Sequence, residues 1–141
     1  MDIRPLTDHL SVSPQIALED MPAIVAAGFG TVICNRPDSE VPPALHAARM
    51  AEAAEAAGLT FVINPAVHTG MTADLVQRQK QAIEASEKPV LAYCQSGTRC
   101  TVIWMLSEAA TTPADDLIDI AAKAGYPLHA LKPQLEAQRQ G

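Results

Sequence analysis

Pro89-Val90-Leu91-Ala92-Tyr93-Cys94-Gln95-Ser96-Gly97-Thr98-Arg99-Cys100 is the stretch whose reading decides the fold. Val90 to Tyr93 is a nearly continuous apolar run, the pattern of a strand covered on both faces. The polar, glycine-containing loop from Cys94 to Arg99 follows, and helical spacing resumes from about Thr101 to Ala110. A buried strand feeding a helix through a short loop is the unit of a parallel sheet, and ligands of such sheets bind beyond the carboxyl ends of the strands.

Outward from this unit the same alternation repeats. Ile3 to Leu6 and Leu10 to Ser13 read as short strands joined through Thr7-Asp8-His9. Leu18, Met21, Ile24 and Val25 fall at helical spacing up to Ala27, and Gly28 supplies the stop. Thr31 to Cys34 is a strand, and the polar, proline-rich stretch from Asn35 to Pro43 is a loop. An Ala-rich helix from Ala44 to Ala57 and a strand from Thr60 to Ile63 come next. Thr72 caps a helix to about Ser86, whose Gln77-Arg78-Gln79-Lys80-Gln81 stretch is expected mostly to face water. Thr112-Pro113 opens a helix to Ala124, and Leu128 to Arg139 forms a last short one. The expectation is an α/β protein of three layers, a mostly parallel sheet between helices, as a single domain over 1–141.

Composition narrows the function. Ten basic against sixteen acidic residues give a formal net charge of -6, which argues against a nucleic-acid or anionic-membrane surface. No apolar run approaches the ~20 residues that span a bilayer. Three cysteines in a chain that opens without the pattern of a signal peptide lead us to expect a cytoplasmic setting and reactive or buried thiols. His9, His46, His68 and His129 lack metal-ligand spacing, so neither a metal nor a cofactor is expected.

The chemistry concentrates in the loop. Amides of Gln95, Ser96, Gly97, Thr98 and Arg99 can turn inward as an anion cradle, helped by the following helix N-terminus. That field lowers a cysteine pKa, making Cys94 the candidate nucleophile. Arg99 can offer two parallel hydrogen bonds to an oxyanion. Other residues fall near the same sheet end. Arg36 is a candidate to attract an anion, and Asn35 to order its loop. Asp38 or His68 could serve as the acid, and His68 alternatively as a substrate ligand. Asp74 reads as a helix-terminus residue. Cys100 and Cys34 are candidate redox partners of Cys94, or buried packing residues. Tyr126 and Trp104 read as packing aromatics.

Leu91 to Arg99 resembles the active loop of rhodanese-type sulfurtransferases. It also resembles the signature of cysteine-dependent phosphatases, which place five residues between Cys and Arg where this chain has four. Ser13-Pro14-Gln15, Ala27 to Ile33, Asn35-Arg36-Pro37-Asp38 and Ala124-Gly125-Tyr126 resemble the bacterial DUF442 family. Its members are described as the phosphatase-like domain of beta-lactamase-hydrolase-like proteins, or as sulfur transferases. The resemblance implies a dual-specificity-phosphatase-like fold, and a functional link to a persulfide dioxygenase, since some members are fused to one.

Loop size favours sulfur transfer at this point. Cys94 would take sulfane sulfur from thiosulfate or a persulfide, Arg99 would hold the donor, and a thiol such as glutathione would accept the sulfur. The alternatives are a protein or aryl phosphatase working through a Cys94 phosphocysteine, and a non-catalytic anion-binding or regulatory module. Phosphatase chemistry asks for an acid, and the Asn64 to Met71 loop contains no carboxylate.

Overall fold

The computed structural model describes residues 1–67 and 70–140. Five strands, β1 (Arg4–Pro5), β2 (Leu10–Ser13), β3 (Thr31–Cys34), β4 (Thr60–Ile63) and β5 (Val90–Tyr93), form one sheet in the order β1-β2-β5-β3-β4. Only β1 runs antiparallel, pairing Arg4 with Val12. The other three pairings are parallel, with Val12 and Ile33 both beside Ala92. Strand β5 is therefore interior, and every residue in it is buried, in keeping with its apolar run.

Alternation along β5 divides the core between two faces. Leu91 and Tyr93 pack with Met21 and Ile24 of α1 (Met21–Ala26) and with Met50 and Ala54 of α2 (Ala47–Ala56). Val90 and Ala92 point the other way, into a larger core. That core is built mainly by α4 (Thr98–Glu108), α5 (Ala114–Lys123) and α6 (Lys132–Gln140), with Val76 and Ile83 of α3 (Ala73–Ala85) against it. The layers are those of an α/β sandwich.

Several boundaries differ from the periodicity, for local reasons. The stretch at Leu18 opens as a 3-10 turn over Leu18–Asp20, and α1 starts only at Met21, with Pro22 in its first turn, where a missing N–H costs nothing. Pro42 and Pro43 keep the chain out of the α conformation, so a 3-10 turn covers Pro43–Leu45 and α2 begins at Ala47. Helix α4 begins three residues earlier than its apolar spacing indicates, at Thr98. Thr72 does cap α3, its hydroxyl accepting from the Leu75 amide at 3.2 Å. Gln77, Arg78 and Gln81 are exposed, in keeping with a stretch that mostly faces water, but Gln79 within it is completely buried.

Candidate active site

The turn that starts α4 early also shapes the site. Gly97 takes φ 95° and ψ -9°, a left-handed conformation, and becomes the N-cap residue of the helix. The chain doubles back far enough for the Gly97 amide to donate to Cys94 Sγ at 3.1 Å. Thr101 returns both its amide (3.1 Å) and its hydroxyl (2.8 Å) to the Gly97 carbonyl. The loop is curled, with its sulfur at the base of a helix of which Arg99 and Cys100 form the first turn.

This setting brings the Cys94 thiol down to about 5. The neighbouring Cys100 thiol is the largest influence, burial opposes it, and the amides of Cys100, Gly97 and Ser96 add to the stabilisation of the thiolate. Cys100 itself is fully buried, and burial followed by the adjacent Cys94 pushes its pKa well up. The two thiols thus differ in role: one ionises readily and the other stays protonated beside it.

Cys94 is also 0% exposed, unlike an open cradle. The rim above it is accessible, since Gln95 and Ser96 are exposed. Two grooves flank that rim. One, of about 390 Å³, runs past Met71, Val102, Leu106 and Leu131. The other, of about 380 Å³, runs past Pro14, Tyr126 and Leu128.

Arg99 is 4% exposed and already partnered. Nη1 donates to Glu40 Oε2 at 2.9 Å and to the Ala66 carbonyl at 2.6 Å, while Nη2 donates to Glu40 Oε1 at 2.6 Å. A guanidinium carries five N–H donors. Three are used, and among the described residues the Nε–H and the second Nη2–H have no protein partner. Those two share one edge of the fork, the geometry that grips an oxyanion. Glu40 therefore takes the Nη1–Nη2 end of Arg99 and leaves the Nε–Nη2 edge for the two parallel bonds that its position in the loop suggested.

Glu40 is the residue that local spacing did not reveal. It accepts from Arg99 and, more weakly, from Arg36 Nε at 3.5 Å, and the Arg99 guanidinium holds its carboxyl below the usual range. Arg36 reaches Gln15 Oε1 at 3.1 Å and the Glu40 carbonyl at 3.1 Å, so it braces its own loop. Asp38 Oδ1 accepts from the Ala47 amide at 2.8 Å, at the start of α2, and its Oδ2 lies 4.0 Å from His46 Nδ1. Asp74 lies in the first turn of α3. His68 falls outside the described residues.

Cys34 reaches the same sheet end but not the same face. It lies beside Tyr93 in register and its thiol donates to the Arg36 carbonyl at 3.3 Å, whereas Cys94 belongs to the opposite core. Cys100 shares the core with Cys94. Tyr126 does more than pack: its hydroxyl donates to the Ser96 carbonyl at 2.9 Å, and the Arg4 guanidinium lies 5.1 Å from its ring centroid. Only the Gly125-Tyr126 pair hinted at this, and no spacing rule links it to the loop.

The chain matches, over residues 2–111, a family model described as "Beta-lactamase hydrolase-like protein, phosphatase-like domain". It is 30% identical over 135 residues to a beta-lactamase hydrolase-like protein of Agrobacterium fabrum, a match covering 94% of this chain and 31% of that protein. A Xylella fastidiosa protein of the same description is 32% identical over 108 residues, covering 77% and 25%. The chain thus spans a third or less of the length of these curated relatives. A solved candidate phosphatase from Neisseria meningitidis Z2491 superposes with TM-score 0.85 at 37% identity, covering 99% of each chain. PTPMT1 superposes with TM-score 0.75 at 12% identity, over 98% of this chain and 94% of its own, and shares the fold. The architecture is that of the dual-specificity and protein tyrosine phosphatases, and the chain belongs to the phosphatase-like domain family of beta-lactamase hydrolase-like proteins.

Proposed function

We propose that this domain is a cysteine-dependent phosphoric monoester hydrolase. The observation that carries the reading is the pairing of a low-pKa Cys94 thiolate in a curled amide loop with an Arg99 fork that has one edge left for an oxyanion. The family model and the 37%-identical relative, described as a candidate phosphatase, lend support. They move the weight away from sulfur transfer, which rested on the four-residue spacing, the likeness to rhodanese-type loops and the lack of a carboxylate in the Asn64 to Met71 loop.

In the proposed reaction Cys94 Sγ attacks phosphorus in line as the ester P–O bond breaks, giving a phosphocysteine and the leaving alcohol or phenol. Water then cleaves the S–P bond, returning the thiolate and inorganic phosphate. Arg99 and the loop amides carry the charge on the phosphoryl oxygens. The burial of Cys94 means that substrate entry must displace atoms over the sulfur. The apolar wall that Met71, Val102, Leu106 and Leu131 give one groove suits an aryl leaving group, whose own acidity lessens the demand for a proton donor.

The test is a side-by-side assay with an aryl phosphate and with thiosulfate or glutathione persulfide, read also by the intact mass of the protein. The expected result is phosphate release that Cys94→Ser abolishes, with a mass gain of one phosphoryl group in a trapped intermediate. A gain of one sulfur on Cys94 without phosphate release would overturn the assignment in favour of sulfur transfer.

A further inference from the structure

Three amide side chains, each completely buried, meet where β3 and β4 end: Asn35, Asn64 and Gln79. Asn35 Nδ2 donates to Gln79 Oε1 at 3.0 Å, and Gln79 Nε2 donates back to Asn35 Oδ1 at 2.8 Å. Asn64 Nδ2 donates to the same Gln79 oxygen at 2.9 Å and to the Leu75 carbonyl at 3.0 Å. Asn35 Nδ2 also donates to the Asn64 carbonyl at 2.8 Å. Burying three amides together is costly unless they are partnered; each is held by at least two of these bonds, with only Asn64 Oδ1 lacking a partner among the described residues, so the knot fixes the geometry of what it joins. It joins two strand ends to α3.

One thread leads from the knot into the site. The Asn35 carbonyl accepts the Ala66 amide at 2.9 Å, and the Ala66 carbonyl accepts Arg99 Nη1. Glu40 grips the end of the guanidinium from its own loop, but a carboxylate on a partly exposed loop leaves the direction of the opposite edge dependent on the third bond. Ala66 supplies that bond from a fully buried position.

We infer that Gln79, acting through Asn35 and the Ala66 carbonyl, is a positioning residue that aims the free edge of Arg99 at the oxyanion site. The inference rests on the proposed use of Arg99 as an anion holder but not on which group is transferred. Among the described residues Gln79 makes no hydrogen bond to Arg99 or Cys94; its effect is transmitted through Asn35 and the chain segment that Asn35 secures.

The experiment alkylates Cys94 with iodoacetate and with iodoacetamide and takes the ratio of the two rates. The reagents share a leaving group and differ in charge, so the ratio reads anion guidance by Arg99 without assuming any turnover. The variants are Gln79→Met, Arg99→Ala, and Met50→Ala as a destabilised control on the opposite face of the sheet. All are measured where urea titration shows them folded.

We expect the parent to favour iodoacetate, and both Arg99→Ala and Gln79→Met to lower the ratio about tenfold, the scale of one charge-assisted hydrogen bond. Met50→Ala should leave it unchanged, as should the pH midpoint of iodoacetamide alkylation in Gln79→Met, because the loop amides and Cys100 set that midpoint. A folded Gln79→Met with the parental ratio overturns the inference. So does a parent whose ratio equals that of Arg99→Ala, since there would be no guidance to transmit. Should Gln79→Met fail to fold, Gln79→Ala, which adds no charge and leaves room for water to reach both asparagines, is read by the same ratio, and a parental ratio in it likewise overturns the inference. A parental ratio that responds to Gln79 in a protein releasing no phosphate would remove the phosphatase reading and leave the positioning role standing.

Discussion

Replacing Gly97 by alanine strikes the fold and the site at one atom. A Cβ built on Gly97 would lie 2.1 Å from Tyr126 Oη and 2.9 Å from its Cζ, so the ring must withdraw. Withdrawal breaks the 2.9 Å bond from the Tyr126 hydroxyl to Ser96, worth about 1 kcal/mol. The left-handed backbone at φ 95° adds about 1–2 kcal/mol for any residue with a side chain. The expected loss for Gly97→Ala is about 2–3 kcal/mol, read as a lower urea midpoint at unchanged slope. Tyr126→Phe removes only the oxygen and should cost about 1 kcal/mol. In the double variant the oxygen clash is absent, so the combined loss should fall short of additivity by about 1 kcal/mol. A Gly97→Ala protein within about 0.5 kcal/mol of the parent, the range of neutral surface changes, would refute this account of the turn.

Other outcomes follow from the electrostatics. The rate of Cys94 alkylation should titrate with a midpoint at about 5. Cys100→Ala should raise that midpoint, while Cys100→Ser, which keeps a donor, should not; equal midpoints in all three proteins would dismiss Cys100 as the main influence. Because the folded thiol lies below its ordinary value of 9.0, its contribution to stability is complete above that pH and is lost as pH falls through about 5. Glu40→Gln leaves a nearly buried guanidinium without its counter-charge and should cost about 2–3 kcal/mol by urea unfolding. The Glu40 carboxyl is lowered by Arg99, so its contribution is present above pH 4.5 and fades as pH drops through the lowered value. The acid limb of the stability curve should flatten in Glu40→Gln, and an unaltered limb would count against the pairing. Asp38→Asn weakens the cap on the Ala47 amide and should cost about 0.5–1 kcal/mol with little change in turnover. A loss of about 100-fold in kcat would instead identify Asp38 as the general acid.

The parts of the molecule legible in the sequence are those governed by local periodicity. The run from Val90 to Tyr93, the alternation of strands and helices, and the Thr72 cap depend on neighbours in the chain, and each has its counterpart in the structure. Element starts were less legible where proline or glycine chemistry intervened, as at Pro43 and Gly97. The candidate nucleophile and the arginine that follows it were visible because they share one loop. Their supports were not. Glu40 lies 59 positions from Arg99, Tyr126 30 from Ser96 and Gln79 44 from Asn35, and no periodicity links such residues. Gln79 misled for a further reason: a glutamine in a polar run reads as solvated unless its buried partners are known.

The family model stops at residue 111, yet the hydroxyl that steadies Ser96 comes from Tyr126. The boundary of the family model is therefore not the boundary of the mechanical unit. A fragment trimmed to residues 2–111 would discard α5 and α6 and strip Leu117 and Leu135 from the core on the Cys94 side of the sheet. It would also cut away the strut under the rim of the Cys94 loop. Anyone grafting this domain, or choosing where to divide its longer relatives, should carry the last thirty residues along with the loop they support.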